Sequence, residues 1–347
     1  MGRSHFARLV HHPHACVVAL CDQDETRRRG MWNDTLGNID VVRSASGQVD
    51  LGDFAVYATP EELIGDTRVD AVLITLPTVL HDQVAAAALQ AGKHVLCEKP
   101  MALHPAGCNR MIAAARRSKR VLMIAHCLRF WPQYTKIKEL IDAGQIGAVR
   151  FAVLRRLAAA PTYSLGNWLL DARQSGGAIL DLHVHDVDFA HFLLGVPNQV
   201  YARGSIGPSG GIDHVSATYS YADGRYVALE GGWIFHGPWP FDMAVTVHGD
   251  SGTLHWSMSG GDDVLLYRDA GEPERFPCRG DALRNELDYF IEVVTSGTTP
   301  LRCTPASSRL SVILAWLERR SIETGRLVPI SEQLKASWAD AACDADV

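Results

Sequence analysis

The chain is poor in the features that mark several protein classes. None of its eight cysteines forms a C-x-x-C pair, which argues against a zinc knuckle and for reduced, mostly buried thiols rather than disulfides. Its 33 Lys+Arg against 39 Asp+Glu give a net charge of −6, so there is no basic footprint for nucleic acid. No apolar run approaches the ~20 residues of a membrane span, and the opening MGRSHFARLVHHPH has no hydrophobic signal core. The expectation is a cytoplasmic protein with neither a membrane nor a nucleic-acid partner.

A hydrophobic content of 47% over 347 residues implies globular folding, and the length exceeds the ~250 to 300 residues that one core usually organises. Up to about residue 125 the sequence alternates strand-like stretches (15–22, 69–77, 94–100, 120–126) with helix-like ones (TVLHDQVAAAALQAGK and HPAGCNRMIAAARRSK). That alternation predicts an α/β unit with a parallel, doubly wound sheet. The stretch 31–56 is polar and glycine-rich and reads as a long loop. Beyond about 145, period-two runs such as VRFAVLRRLA and HVSATYSYADGRYVALEGGWIF predict a mostly antiparallel, open sheet, with Asp223-Gly224 as a hairpin turn. A helix returns near 305–325. The expected organisation is a dinucleotide-binding domain over 1–124, an α/β domain for substrate and oligomer contacts over 125–330, and a loosely held tail over 331–347.

A doubly wound sheet calls for G-x-G-x-x-G after its first strand, and here only Met1-Gly2 leads into the helical RSHFARLVHHP. Asp22 closes the VVALCD run twenty residues after Gly2, the spacing at which a carboxylate receives the adenosine ribose hydroxyls. Gly2 therefore reads as the third glycine of a fingerprint whose beginning, with the first strand, is not in this chain. A carboxylate at Asp22 favours NAD by repelling a 2′-phosphate, while Arg27, Arg28 and Arg29 keep NADP open.

The stretch AILDLHVHDVDF (178–189) carries the chemistry. With Ser175 as N-cap and Gly195 as terminator, it predicts one helix over 175–194. Asp181, His185 and Asp188 then share a stripe at i, i+4 and i+7, and Asp181 touches His185, orienting it as a general base. His183 falls roughly 200° away, which makes one metal ion shared by both histidines awkward. No metal is expected. Read as a strand, the same residues mimic the D-x-H-x-H opening of metal-dependent hydrolases, a reading that needs further ligands.

AGKHVLCEKPMAL, preceded by VDAVLITLPTVLH and followed by AHCLRFWPQY and SGGAILDLHVHDVDF, resembles the Gfo/Idh/MocA oxidoreductases. The resemblance covers residues 2–330. It implies NAD or NADP, sugar or cyclic polyol substrates, and a homodimer or homotetramer packed through the C-terminal sheet. It assigns Lys99 to the E-K-P lysine, and Asp181 and His185 to the aspartate and histidine of the G-G-x-x-x-D-x-G-x-H-D motif. His183 replaces that motif's usual glycine and carries two readings, a substrate-facing imidazole or a packing one. Only the end of the glycine motif is matched, and the expectation is a true start upstream with Met1 internal.

Hydride transfer from a secondary alcohol needs a base and a cation for the developing alkoxide. His185 is the expected base, or the acid in the reducing direction, and Lys99 the cation. Leu76, Pro77, His81, Glu98 and Lys99 are expected with Gly2 and Asp22 around the cofactor, and Arg129, Trp131 and Trp168 with His183 around the sugar. Rival readings are an NAD-dependent glycosidase working by redox-elimination, a non-catalytic nucleotide or sugar sensor, and the metal hydrolase.

Overall fold

The computed structural model describes residues 1–32 and 49–332. The central part of the expected 31–56 loop and nearly all of the expected tail lie outside the described residues. Five parallel strands form the N-terminal half. Ala19–Cys21 pairs with Ala55–Tyr57, which converts the end of the expected loop into a strand. Ala71–Ile74, His94–Glu98 and Leu122–Ala125 pair in that order, inside three of the four stretches where strands were expected, and Ala19–Cys21 lies inside the fourth. The two groups are not joined in one sheet. The position between them is where a doubly wound sheet carries its first strand, in keeping with that strand's absence among the described residues.

Both faces of the three-stranded group are covered, which explains its unbroken apolar sequence. Val95 and Cys97 face helices His81–Gln90 and Pro105–Ser118 through Ala85, Ala88, Cys108 and Met111. Leu96 and Met123 face the other way, onto Leu287 and Phe290 of the helix Ala282–Ser296. Each such buried side chain contributes about 1.5–3 kcal/mol. A helix from far along the chain thus completes the N-terminal unit, a contact that sequence periodicity does not reveal.

The second half is a nine-stranded sheet. Its order is Glu274–Pro277, Asp263–Tyr267, Gly252–Ser257, Asp242–Gly249, Val149–Ala159, Tyr226–Phe235, Ile212–Ser220, Gln199–Ile206 and Val328–Pro329. All neighbours are antiparallel except Val149–Ala159 with Tyr226–Phe235, so the sheet is mixed at its centre. The Asp223-Gly224 turn joins two antiparallel neighbours as expected, with Gly224 at φ 88°. One face carries the helices Val184–Leu194 and Pro305–Thr324 over Ala152, Leu154, Val227 and Leu229. On the other, Phe151 stacks on Tyr226, and Val153 is 40% exposed. No described helix is long and apolar enough to cross a membrane.

The expected single helix over 175–194 is broken. Ala172–Ser175 ends in Gly176 and Gly177, at φ 83° and 78°, and a second short helix spans Ala178–Asp181. Ser175 is therefore a C-terminal residue, and its hydroxyl donates to the Leu169 carbonyl. The N-cap is Gly177, and Asp213 accepts from the Ala178 amide. His183 N–H then donates to Ala178 O, five residues back, before the regular helix Val184–Leu194 begins. One extra residue in the turn rotates everything after it relative to Asp181. Gly195, at φ 81°, ends the helix as expected.

Candidate active site

Lys99 follows the strand His94–Glu98 at its carboxyl end, the edge where ligands bind in such sheets. Its ammonium donates to Asp181 twice, to the backbone carbonyl at 2.7 Å and to Oδ1 at 3.0 Å. Both side chains are mostly buried, at 13% and 14% exposure. An ion pair removed from bulk water is worth more than a surface one and fixes the ammonium's position. One N–H of the ammonium is left for a third acceptor.

Asp181 is therefore the partner of Lys99 and not of His185. The extra residue at His183 carries His185 round to the loop after Ala125, where its Nδ1 lies 3.9 Å from Cys127 Sγ. Burial, then the positive charges of Lys99 and Arg156, hold the His185 imidazole well below its ordinary range. His185 is neutral at neutral pH, the form a general base requires.

Several residues expected at the site are elsewhere. His183 is fully buried, with Nε2 3.1 Å from Glu318, and it fills the space over Gly231, where a Cβ would collide with the ring. This placement fits the packing reading of His183. Burial works against protonating it, but the Glu318 carboxylate outweighs burial and raises its pKa. With His183 aimed at Glu318 and His185 at Cys127, the two imidazoles do not converge as the hydrolase reading needs. Among the described residues no group of three or more His, Cys, Asp or Glu side chains is arranged to hold a metal ion.

Arg129 is also buried in an internal ion pair. It is 2% exposed, and its guanidinium donates to both oxygens of Asp188 at 2.8 and 2.7 Å, to Ser307 Oγ and to the Arg302 carbonyl. The bidentate pair and the two further bonds engage four of the five N–H donors of the fork. Trp131 opens the helix Pro132–Asp142, half-buried against the core. Trp168 packs with Tyr163 against Ala178 and Leu182, beside Asp181. Tyr163 lies close enough to Asp181 to feel its charge, and burial, then that charge, raises its phenol. Sequence reasoning passed over Tyr163, which sits in an irregular loop with no periodicity to mark it.

Around the nucleotide edge, the placements differ in kind. Gly2 packs so tightly that a Cβ would stand 2.9 Å from Thr75 Oγ1, which is the close helix–strand approach a third fingerprint glycine provides. The N-cap of the Gly2–Leu9 helix is Met1, whose side chain makes no capping hydrogen bond. Asp22 is half-exposed at the end of its strand, with Arg27 at 3.7 Å. Arg28 donates to the Asp22 and Gln23 carbonyls, and Arg29 pairs with Glu25. Leu76 and Pro77 are half-buried after the strand Ala71–Ile74.

His81 and Glu98 are both buried and hydrogen-bonded within the protein. His81 is 1% exposed, with Nδ1 2.8 Å from the Pro100 carbonyl and Nε2 2.9 Å from the Leu76 carbonyl. It ties the loop after one strand to the turn after the next. Glu98 is 6% exposed and bonded to His5 Nε2 at 2.7 Å. Burial alone would raise its pKa, but the His5 bond and the charges of His5, Lys99 and the N-terminus together outweigh that and lower it. This pair anchors the first helix beneath Lys99.

Comparison with known proteins agrees with this architecture. Residues 1–126 match the family described as oxidoreductase family, NAD-binding Rossmann fold, and residues 134–255 match the GFO/IDH/MocA C-terminal domain. The chain is 33% identical to inositol 2-dehydrogenase 2 of Saccharopolyspora erythraea, over 85% of this chain and 86% of that one. It is 29% identical to myo-inositol 2-dehydrogenase of Thermotoga maritima, over 96% of both. In fold, it superposes on levoglucosan dehydrogenase in complex with NADH with a TM-score of 0.80 at 20% identity, covering 95% of this chain and 96% of that one. By sequence across both halves and by fold, the chain belongs to the Gfo/Idh/MocA family of oxidoreductases, with an NAD-binding Rossmann fold.

Proposed function

We propose that this protein interconverts a secondary alcohol and a ketone on a sugar or cyclic polyol, with NAD or NADP as the redox partner. The observation that carries the reading is the Lys99 ammonium, held by the Asp181 carbonyl and carboxylate at a strand's carboxyl end, with a neutral His185 one turn further on. In the oxidative direction, His185 accepts the hydroxyl proton. The remaining N–H of Lys99 donates to the same oxygen and stabilises its developing negative charge. Asp181 fixes that ammonium. In reduction the same proton returns from the imidazolium to the oxygen.

The residues present fit a dinucleotide: the tight Gly2–Thr75 approach at the start of the first helix and the half-exposed Asp22 make a cradle of the right chemistry. The nicotinamide supplies a hydride acceptor or donor when bound. Gly2, Asp22, Leu76 and Pro77 are the residues assigned to hold the nucleotide, with Lys99 beside the nicotinamide and acting on the substrate oxygen. Asp22 favours NAD, since the neighbouring arginines are already engaged with Asp22, backbone carbonyls and Glu25. Trp168, with Tyr163 beside it, offers an aromatic wall to a sugar ring. The open sheet face, with Phe151, Val153 and Tyr226, is assigned to self-association as a homodimer or homotetramer, which light scattering after size exclusion tests.

The test is NADH fluorescence titration followed by an NAD and NADP reduction screen over inositols, aldoses and anhydro-sugars. Turnover with one of them, abolished in Lys99→Ala and His185→Ala at unchanged nucleotide affinity, supports the proposal. Release of free sugar without net reduced cofactor points instead to redox-elimination. Nucleotide binding with no turnover on any of them points to a sensor.

A further inference from the structure

The His185 side chain lacks the carboxylate partner that usually orients a catalytic imidazole, and the group in that place is a thiol. Cys127 lies in the 3₁₀ turn Cys127–Phe130, immediately after the strand Leu122–Ala125 and the buried His126. It is 7% exposed, and its Sγ stands 3.9 Å from His185 Nδ1. Burial, then the Glu286 carboxylate, raises its pKa, so it remains a thiol. The other charged or titratable groups that face His185 are Lys99, Arg156 and His126. Arg156 is committed to Asp186 at 2.9 Å, and Lys99 to Asp181. Asp186 and Asp181 are thus engaged by cations, while Glu286, on the Cys127 side, is fully buried with neither carboxyl oxygen hydrogen-bonded.

We infer that Cys127 is the positioning residue for His185, holding its Nδ1 through a neutral thiol so that Nε2 is presented to the substrate hydroxyl in either tautomer. The inference rests on His185 being the proton acceptor proposed above. A carboxylate at Nδ1 would lock one tautomer and stabilise the imidazolium. A thiol is a weak donor and a weak acceptor, so it satisfies Nδ1 as S–H···N when Nε2 carries the proton and as N–H···S when Nε2 is free. During alcohol oxidation the substrate O–H proton passes to Nε2, giving an imidazolium whose Nδ1–H points at Sγ. The thiol proton does not move to another atom. Reduction reverses the transfer. The base so held is weak and stays neutral into acid solution.

The test is ¹⁵N NMR titration of His185 in the full-length folded protein, assigned with His185→Gln, for the wild type and for Cys127→Ser, Cys127→Ala and Cys127→Asp. Steady-state kinetics are run on the same samples. Cys127→Asp is expected to raise the His185 midpoint by about one to three pH units. Cys127→Ala is expected to lower kcat about tenfold at unchanged KM, the cost of one lost orienting bond, and Cys127→Ser to restore most of it. Where Cys127→Asp does not fold, the alanine and serine pair decides the matter. Wild-type kcat and an unchanged His185 titration in Cys127→Ala overturn the inference. If His185→Gln itself turns over normally, the base assignment fails, while the NMR titration still reports whether Cys127 governs the imidazole.

Discussion

Arg129→Met separates two roles for one residue. In the structure Arg129 is a buried ion-pair partner, whereas its motif position made it a sugar ligand. Its guanidinium binds Asp188 through two bonds, and Asp188 has at most 1% of its side chain exposed. Asp188 also accepts from Ser311 Oγ at 2.8 Å and has His126 at 3.4 Å and His191 at 3.6 Å. Burial would raise the Asp188 pKa, and the Arg129 charge does most to hold it well below the carboxylate range. Methionine replaces the stem but leaves Asp188 as a buried charge with only neutral donors. Breaking one side of such a pair costs about 3–5 kcal/mol. The sign with pH follows from linkage. A depressed carboxylate pKa gives stability that is complete above the unfolded-state pKa and lost as pH falls. In Arg129→Met the Asp188 pKa rises, so the variant's deficit is largest at neutral pH and shrinks in acid as Asp188 takes a proton. Urea unfolding at several pH values measures this, alongside KM for the sugar identified by the screen. A loss under about 1 kcal/mol, or a raised KM at unchanged stability, refutes the structural role.

Three further outcomes are expected. Lys99→Ala should lower kcat about 10²–10³-fold, the usual cost of removing one donor to a developing oxyanion, while leaving NADH fluorescence titration unchanged; wild-type turnover removes the mechanism. Gly177→Ala forces φ near +78° on a residue with a Cβ, which would stand 3.1 Å from the Ile212 carbonyl, so a stability loss of about 1–2 kcal/mol by chemical unfolding is expected, and no loss shows that the turn relaxes. The acid limb of kcat/KM should fall below the ordinary histidine value of about 6.5, because burial, Lys99 and Arg156 disfavour protonated His185; an acid limb at or above that value contradicts it. The same depression, shared by His126 at about 4, means that stability declines as pH falls from the unfolded histidine range toward the folded pKa values.

The sheets were legible because their signals are local. Apolar runs bounded by polar loops marked the parallel strands, and period-two alternation with Asp223-Gly224 marked the antiparallel half. The helix Ala282–Ser296 was passed over, since its role is set by Leu96 and Met123 far back in the chain. At the site, residue identity was legible and pairing was not. Lys99 and Asp181 are 82 residues apart, and Cys127 and His185 are 58 apart; such contacts belong to the tertiary fold. The partners of His183 and Arg129 were hidden for a related reason. Polar side chains beside a motif draw attention, but Glu318 and Asp188, which engage them, come from other turns and helices.

The error over Asp181 and His185 shows what the helix break accomplishes. On an unbroken helix, residues at i and i+4 share a face, and an aspartate there would stabilise protonated His185. A cationic imidazole would then stand beside the Lys99 ammonium, two like charges competing for one oxygen and neither able to accept its proton. The paired glycines at 176 and 177 restart the helix, and the bond from His183 N–H to Ala178 O rotates the residues that follow. Asp181 is delivered to the lysine and His185 to a neutral thiol. The two roles in the proposed mechanism, a fixed cation and an uncharged base, thereby fall to different side chains, the base one turn after the aspartate that fixes the cation. Restoring a regular helix there would put both roles at risk, even with every side chain at the site unchanged.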